Sequence, residues 1–448
     1  MRGIPLAIVA IVATGCDSEA SAPDPISASD LSFTLHGEHR AFAYVSWTQD
    51  IAGEVRVSYT VDEGSWIAAP PVQGVAGVNE QLLAGVPYGS EAQWRVSQGD
   101  THFDAPQPIV TDPAPAQLPV GLVPTSEPTR WLPEGRFLLT TIAEGGGGWG
   151  TNGPFWTAIF DRAGRPIWAQ RTRLGTWSLY PTVAQSGDHI LYDEFDPFAA
   201  YSGNADAAQI NRTYLDQSIE SISTPGFHHA FVEHADGTLA WGSRAHGGGE
   251  ALVEKAPGQD GETVVWTCND DWPEASYYCV SNCLYYDADR DSYLYSFYTV
   301  ESVVEIDRPT GTTMWWAGGV SGGATFEPAD SQFYWQHGVS WTDAGTLLVS
   351  THRSANGETN LAREYTYDES ANTLTEIWSY DANALANTNG DTWRLRNGNT
   401  LHTLGSASQI KEVDADGQTV WHLDFNGTRL LGRSEWITDP NTLLAPAQ

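Results

Sequence analysis

Hydrophobic and polar residues alternate along most of this chain in short runs separated by turns rich in Asp, Asn and Gly. In EVRVSYTV, for example, every second residue is apolar. A period of two is typical of β-strands with one buried face, and heptad patterns typical of long helices are absent. The alternation therefore predicts an all-β protein.

One pattern recurs: a short strand, a turn of the Asp-x-x-Gly type, and a second strand that ends in Trp. Its copies end at Trp168, Trp266, Trp315, Trp378 and Trp421. Their spacings are 98, 49, 63 and 43 residues, so the first gap fits two periods with one degenerate copy between. A four-stranded unit of about 40–50 residues is the period of a β-propeller blade. We therefore predict six blades over residues 130–448, with the segment after Trp421 completing the ring.

The residues before the repeat differ in pattern. Residues 28–112 alternate as a small β-sandwich does, and an early Trp47 with a Leu-to-Tyr turn before the last strands resembles a fibronectin type III-like or immunoglobulin-like domain. Residues 113–129 are rich in Pro and predict a semi-rigid linker. The predicted architecture is a sandwich followed by a propeller.

The first 16 residues predict an exported lipoprotein. One Arg, an apolar run and Ala-Thr-Gly precede Cys16, which resembles a bacterial lipobox. Residues 17–27 have the composition of a flexible tether. We expect lipid attachment at Cys16 and a location outside the cytoplasm, at a bacterial membrane facing the periplasm or the cell surface.

Charge narrows the range of partners. The chain has 22 basic and 56 acidic residues and a net charge of −34, which disfavours nucleic acid as a partner. Three further cysteines, Cys268, Cys279 and Cys283, lie close together. In an oxidising compartment we expect one disulfide among them and one remaining thiol, rather than a zinc site.

Aligning the blades on their turns brings two histidines into the same register. His229 precedes Gly237 by eight residues, and His337 precedes Gly345 by eight. In a propeller this position is the mouth of the central channel, where the innermost strands begin. Arg353 follows the next strand of the same blade and is expected at the same opening. Three further residues are expected to contact a ligand there: His352, Tyr180 and Asn282.

Imidazoles beside a guanidinium suit an oxyanion such as sulfate, phosphate or carboxylate. Arg binds an anion in bidentate fashion, and His acts as a nucleophile or as a general acid and base near neutral pH. The other histidines in these blades do not share the register, and we interpret them as structural or surface residues: His228, His234, His246 and His402.

The blade phrases HHAFVEHADGTL, QHGVSWTDAGTLLVSTHR and SVVEIDRPTGTTMWWAGG resemble those of the bacterial arylsulfotransferases, six-bladed propellers of the periplasm. The resemblance covers about residues 130–440. It implies transfer of a sulfuryl group from a phenolic sulfate ester to a phenol through a sulfated His, without a nucleotide donor, metal or other cofactor. It assigns catalytic roles to His229, His337 and Arg353.

The chain departs from this family in one blade. Where the family pattern offers a further channel His, the sequence reads ANTNGDTW, which places Asn389 and Asp391 at the channel as candidate ligand contacts. Either His337 or His229 then takes the covalent role, or the propeller binds an anionic or glycan ligand at the cell surface without turnover. A metal-dependent enzyme with His229, His337 and His352 as ligands is the weakest alternative, because short-spaced ligand motifs are absent.

Overall fold

The computed structural model describes residues 25–201, 207–246, 249–275 and 278–446. The predicted leader, Cys16 and most of the tether lie outside these ranges. No helix within them is long and apolar enough to cross a bilayer.

The first part of the described chain is a β-sandwich of two antiparallel sheets that enclose Val45, Trp47, Tyr59 and Trp94. One sheet has the strand order Ala28–Leu35, Ala43–Gln49, Gly77–Leu83. The other has the order Ile67–Ala68, Gly53–Val61, Glu91–Gln98, Thr101–Asp104, with Val72–Gly74 and Ile109–Val110 pairing at its margins. The assignment of this sandwich to the fibronectin type III class stays a prediction, as do the exact domain boundaries.

The rest of the described chain forms six sheets arranged as propeller blades, which confirms the all-β propeller. Strands are given from the innermost outward. Blade 1 contains Leu431–Ile437, Phe137–Ala143, Phe155–Asp161 and Pro166–Arg171; blade 2 contains Pro181–Val183, Ile190–Phe195, Ala208–Thr213 and Glu220–Ser223; blade 3 contains Phe227–Glu233, Leu239–Ser243, Ala251–Lys255 and Thr263–Thr267.

Blades 5 and 6 each carry a fifth strand on the outside. Blade 4 contains Ser281–Asp287, Ser292–Phe297, Ser302–Asp307 and Thr312–Gly318; blade 5 contains Tyr334–Trp341, Leu347–Ser354, Gly357–Asp368, Thr373–Asp381 and Thr325–Glu327; blade 6 contains Asp391–Arg394, Thr400–Leu404, Gln409–Val413, Thr419–Asp424 and Leu122–Ser126. Short helices of the described residues are Pro197–Tyr201, Cys268–Asp271, Gly148–Gly150, Ala329–Ser331, Gly405–Ala407 and Pro440–Leu443.

The ring is closed by strands from both ends of the propeller sequence. Leu431–Ile437 pairs antiparallel with Phe137–Ala143, so blade 1 takes its innermost strand from the end of the chain. Leu122–Ser126 pairs with Thr419–Asp424 on the outside of blade 6. This strand corrects the prediction that residues 113–129 are only a linker; its Val123 packs into the apolar cluster around Trp421. Both pairings cover strand edges that would otherwise be exposed.

Four of the five recurring Trp residues donate a hydrogen bond to the following blade, whereas Trp315 bonds to Glu305 of its own blade. The indole N–H of Trp168 in blade 1 donates to the carbonyl of Leu215 in blade 2 at 3.0 Å, and that of Trp421 in blade 6 donates to the carbonyl of Arg162 in blade 1 at 2.9 Å. Trp266 and Trp378 bond in the same way to the following blades. A large apolar ring with one donor suits such a half-polar interface. The Trp-ended repeat in the sequence therefore reflects contacts between neighbouring blades.

The sandwich packs against the propeller. Asn441 exchanges hydrogen bonds with the backbone of Ala84, at 2.7 and 3.2 Å. Phe42 and Ala84 share an apolar cluster with Trp168 and Leu215 of blades 1 and 2. The sandwich thus contacts the flank of the ring and contributes no residue to the channel cavities described below.

Candidate active site

The starts of the six innermost strands surround a narrow cavity of about 10 Å³ on the propeller axis. Each blade contributes to its wall, which consists of Leu179, His229, Asn282, His337, Asn389, Gly390, Gly432 and Arg433. We call this space the upper cavity. Its volume corresponds to roughly one water-sized group, so only a small head group fits inside.

His229 and His337 both face the upper cavity, as the register predicted. The Nδ1–H of His337 donates to the carbonyl oxygen of Trp335 at 2.9 Å, because a carbonyl can only accept. Nε2 is then the nitrogen that carries the lone pair in the neutral ring. Burial, followed by the nearby His352, lowers the pKa of His337 to about 3, so the ring is neutral at physiological pH.

His229 is connected to a buried carboxylate through its neighbour His228. The Nδ1 atoms of the two rings lie 2.8 Å apart, so one donates a hydrogen bond to the other. Nε2 of His228 lies 2.9 Å from Oε2 of Glu250, and both side chains are fully buried. Burial, and then the charges of His228, His337 and Arg433, hold the pKa of His229 well below the ordinary imidazole value.

Glu250 is held in its ionised form. Burial alone would raise its pKa, but His228 and hydrogen bonds from the backbone N–H of Ser281 and the hydroxyl of Tyr295 outweigh burial and lower it. Glu250, His228 and His229 therefore form a continuous hydrogen-bonded chain that ends at the upper cavity. His228, which the sequence predicts to be structural or on the surface, is thus fully buried and bonded to His229.

Arg433 forms the floor of the upper cavity. Its guanidinium is buried, lies over the ring of Tyr180 with 4.1 Å between Cζ and the ring centroid, and donates to the carbonyl oxygens of Asn282 and His337 at 3.2 and 3.4 Å. Its Nη1 faces Oδ2 of Asp391 at 3.6 Å. These contacts fix a positive charge beside both imidazoles.

The predicted Arg353 does not reach the channel. Its side chain is 46% exposed and pairs with Asp381 at the surface, because it lies on the second strand of blade 5 rather than the first. His352 lies on that same strand, and its Nε2 bonds to the carbonyl of Ala386 at 2.9 Å, outside the cavity wall. Arg433 occupies the place at the cavity that the sequence analysis gave to Arg353.

The remaining predicted contacts divide between two levels. Asn282 and Asn389 line the upper cavity, where their amides donate to the carbonyls of Gln336 and Leu431. Tyr180 and Asp391 lie below Arg433 and do not line this cavity, which corrects their placement at the mouth. In blade 2 the preceding residue, Leu179, takes the position expected for Tyr180.

An aromatic surface stands beside the imidazoles. The ring of Trp149 stacks on His229 with 5.9 Å between centroids and 4° between planes, and meets Trp177 edge to face at 4.8 Å. Trp149 belongs to the glycine-rich segment GGGGWG, at the end of the second strand of blade 1. An indole partly exposed next to the cavity suits the flat face of an aryl group.

The cysteines have structural positions. Cys268 and Cys279 form a disulfide beside Trp272 in the apolar cluster of blades 3 and 4. Cys283 is a buried thiol, and burial raises its pKa. Within the described ranges, no group of three His, Cys, Asp or Glu side chains could hold a metal ion.

Comparison with protein families gives one match. Residues 269–426, which span blades 4 to 6 almost entirely, match the family model described as arylsulfotransferase (ASST). The resemblance to arylsulfotransferases is confirmed. The matched stretch contains His337 and Asn389 of the upper cavity, whereas His229 and Arg433 lie outside it. No curated protein matches this arylsulfotransferase-like chain.

Solved structures resemble the chain only distantly. A protein of unknown function from Bacteroides caccae is 16% identical, with 66% of this chain and 98% of that chain covered and a TM-score of 0.43. The β-propeller domain of Cps50 (Swd1) from Myceliophteria thermophila is 11% identical, with 69% and 87% covered and a TM-score of 0.40. Virginiamycin B lyase from Staphylococcus aureus is 10% identical, with 64% and 92% covered and a TM-score of 0.37. The blade count therefore rests on the sheet topology itself.

Proposed function

We propose that this protein transfers a sulfuryl group from a phenolic sulfate ester to a phenol through a sulfated His337. The observation that carries the proposal is the convergence of His337, His229 and Arg433 on one cavity in a chain that matches the arylsulfotransferase model. The substrates are a small aryl sulfate and a phenol acceptor. The family match does not favour the alternative of a non-catalytic propeller that binds an anionic or glycan ligand.

His337 is the proposed nucleophile. Its Nδ1–H is engaged by the carbonyl of Trp335, and its lowered pKa keeps the Nε2 lone pair available. In the first half-reaction Nε2 forms a bond to sulfur while the bond from sulfur to the phenolic oxygen breaks, and the electron pair leaves with the phenolate.

His229 is the proposed proton donor to this phenolate. Because the pKa of its buried imidazole is strongly lowered, His229 binds a second proton only weakly. We propose that His229 gives the proton on Nε2 to the leaving oxygen and receives one at Nδ1 from His228, whose positive charge Glu250 stabilises. In the second half-reaction the acceptor phenol returns a proton along the same chain, attacks sulfur and releases His337.

Arg433 supplies the electrostatic stabilisation. The sulfuryl group carries negative charge on its oxygens throughout the transfer, and the guanidinium beside the cavity is buried and held rigidly. We propose that one oxygen of the sulfuryl group enters the upper cavity, which has room for about one water-sized group, while sulfur and the aryl ring remain at its mouth, where Trp149 stands beside His229. This division supports sulfuryl transfer over reactions that need the whole substrate to be buried.

We also propose that the protein works outside the cytoplasm, attached to a bacterial membrane by lipid at Cys16. The support is the lipobox-like sequence and the disulfide between Cys268 and Cys279, which is typical of oxidising compartments. Metabolic labelling with a fatty-acid analogue checks this: the label is expected in the native chain and lost in Cys16→Ser.

The transfer itself is tested with 4-nitrophenyl sulfate and a phenol acceptor. Acceptor-dependent release of nitrophenol and a sulfate adduct on His337, located by mass spectrometry after a single turnover without acceptor, are expected. His337→Asn should lower turnover by about 10⁶-fold, as loss of a catalytic nucleophile does. His402→Asn, a change at a buried imidazole bonded to Ser350, is the matched control and should keep near-normal activity. Folded protein that turns over no aryl sulfate would disprove the proposal.

A further inference from the structure

A second and larger cavity opens at the other end of the channel, below Arg433. Its volume is about 420 Å³, within the range of about 300–1,000 Å³ typical of small-molecule sites. We call it the lower pocket. It is formed where the innermost strands end, whereas the upper cavity is formed where they begin.

Aromatic rings and two carboxyl groups dominate the inner wall of the lower pocket. The rings are those of Tyr180, Phe231, Tyr285, Tyr286, Trp393 and Trp436. The carboxyl groups belong to Asp391 and Glu435, on the innermost strands of blades 6 and 1. Aromatic faces combined with carboxylates are the usual means of recognising an ammonium group, through cation–π attraction and charge-assisted hydrogen bonds.

Glu435 has no cation at ion-pair distance among the described residues. Its Oε2 accepts hydrogen bonds from the backbone N–H of Val183 at 2.9 Å and from the hydroxyl of Thr182 at 3.1 Å, both neutral donors. Burial raises its pKa to about 6, and the nearby Asp391 contributes in the same direction. Glu435 is half-buried, and a carboxylate in such a site without a countercharge is stabilised by any ligand that brings one.

Asp391 adds a hydrogen-bond acceptor to the same end of the pocket, although Arg433 already serves as its countercharge. It is 1% exposed, and its Oδ2 has no hydrogen-bond donor in the described part of the chain, since Nη1 of Arg433 is 3.6 Å away. Its Oδ1 accepts from the backbone N–H of Thr392 at 2.9 Å, and a hydrogen bond from the side chain of Trp393 also acts on the carboxyl group. The floor of the pocket thus has an acceptor that a donor-bearing ligand would satisfy.

The other charged groups of the pocket do not supply that countercharge. Arg394 is paired with Glu364, and Glu233 is paired with Arg212 and His189. The remaining two, Glu134 and Arg396, are exposed and of opposite sign. Arg433 is shared between Asp391 and two backbone carbonyls. The uncompensated charge at the inner end is therefore that of Glu435.

We propose that the lower pocket binds a small organic cation, an ammonium group on an aryl-alkyl body, with the ammonium at Glu435 and Asp391 and the ring between Trp393, Trp436 and Tyr286. The strongly acidic chain, with a net charge of −34, draws such a cation to the site. This site is separate from the proposed sulfuryl transfer, because Arg433 stands between the two cavities.

The test uses the full chain and three probes of similar shape: 2-phenylethylamine, the neutral 2-phenylethanol and the anion phenylacetate. Calorimetry and the fluorescence of the pocket tryptophans report binding. The amine should bind at least about tenfold more tightly than either analogue, a difference of about 1.4 kcal/mol. Equal or tighter binding of the alcohol or the anion would overturn the proposal, as would no amine binding at about 10 mM.

Variants locate the site. Glu435→Gln keeps an oxygen for Val183 and Thr182 and should weaken amine binding at least about tenfold while leaving circular dichroism unchanged. Glu134→Gln makes the same change at the exposed rim of the pocket and should alter affinity less than about twofold. Unchanged affinity in Glu435→Gln, or equal losses in both variants, would show that Glu435 does not hold the ammonium. Neither binding result depends on sulfuryl transfer. A protein without transferase activity can therefore still bind the amine, and the two proposals are tested independently.

Discussion

The two ends of the propeller channel are made by the same six strands yet differ in size and chemistry. Above Arg433 the space is about 10 Å³ and is lined by two imidazoles and two amides. Below Arg433 it is about 420 Å³ and is lined by aromatic rings and carboxyl groups. One buried guanidinium separates them and contacts residues that line each side.

Because the two cavities differ in size and lining, one ring of strands provides two kinds of site. Near the strand starts the wall consists of short polar side chains, glycines and Arg433 around a space of about one water-sized group. Near the strand ends the wall carries large rings around a space wide enough for a small molecule. The upper end is therefore suited to chemistry on a group of few atoms, and the lower end to binding a molecule of greater size.

Removing the guanidinium between the two spaces should have the largest effect. Arg433→Met is expected to lower sulfuryl transfer about 10³-fold, because the developing charge loses its buried donor. It should also lower the free energy of unfolding by about 3–5 kcal/mol, since Asp391 is left without a countercharge. Nitrophenol release and urea denaturation measure the two effects.

Arg363→Met provides the matched control for Arg433→Met. Arg363 is a similarly buried guanidinium, paired with Glu376 in blade 5 and remote from both cavities. We expect it to lose stability and keep turnover in the fraction that remains folded. Equal losses of turnover in both variants would mean that Arg433 acts on the fold alone.

Interrupting the hydrogen-bonded chain behind His229 should have the next largest effect, confined to the upper end. His228→Asn is expected to lower kcat about 10–100-fold for phenyl sulfate, whose leaving phenolate is basic and needs a proton. The loss should be much smaller for 4-nitrophenyl sulfate, whose leaving group is stable without one. A purely structural role for His228 would instead lower both rates by the same factor.

Lowering the pH should affect sulfuryl transfer at the upper cavity and amine binding in the lower pocket differently. With a pKa of about 3, His337 stays unprotonated as pH falls from 7 to 5, so its attack on sulfur should persist over this range. Glu435 and Asp391, raised to about 6 by burial, take up protons over the same range and lose the charge that attracts a cation. Amine affinity should therefore fall about tenfold for each carboxylate neutralised between pH 6.5 and 5.

The pH comparison has an internal control. In Glu435→Gln only Asp391 still takes up a proton over this range, so the affinity for the amine should start lower and fall only about tenfold, not about a hundredfold. A wild-type affinity that does not change with pH would contradict the role of the carboxyl groups. A rate that falls with a midpoint near the ordinary imidazole pKa of 6.5 would contradict the buried, neutral state of His337.

The smallest effect is expected at the arginine that the family resemblance singled out. Arg353→Met removes an exposed ion pair with Asp381 and should change turnover less than about twofold and stability by at most about 1 kcal/mol. The same assays used for Arg433→Met apply. A large loss of turnover in Arg353→Met would mean that this side chain moves to the cavity during the reaction.

Much of the fold could be predicted because each blade obeys local rules. The Asp-Gly turns, the period of two and the recurring Trp predict six blades, and in the structure four of the five recurring Trp residues bond to the following blade. Counting from the turns predicts His229 and His337 at the cavity, since residues equally distant from equivalent turns lie at equivalent heights, and Asn282 at a corresponding strand start and Asn389 from the family pattern also line it.

The residues that were wrongly predicted to line the cavity lie one strand or one residue away from the positions in register. Arg353 and His352 lie on a second strand, which is set back from the axis, so sequence proximity to His337 was misleading. Tyr180 follows the residue that faces the cavity and lies on the other side of Arg433. His228 lies outside the register, and only the structure shows that its ring bonds to that of His229.

Arg433 is the residue of the upper cavity that could not be predicted from the sequence. The segment TRLLGRSEW was expected to complete the ring, and a basic residue near the start of such a strand was the available signal. Its importance appears only when the strand pairs with Phe137–Ala143, almost 300 residues earlier in the chain. Aligning each blade on its own turns does not show which blade receives a strand from the end of the chain.

By itself the sequence determined the number of blades, the strand register within them and the two imidazoles, because these depend on turns and periodicity within some fifty residues. Only the tertiary structure decided which arginine serves the imidazoles, that a buried carboxylate lies behind His229, and that a second pocket opens below. Those facts depend on which side chains a closed ring brings together across its axis, and closure joins residues whose separation along the chain carries no local signal.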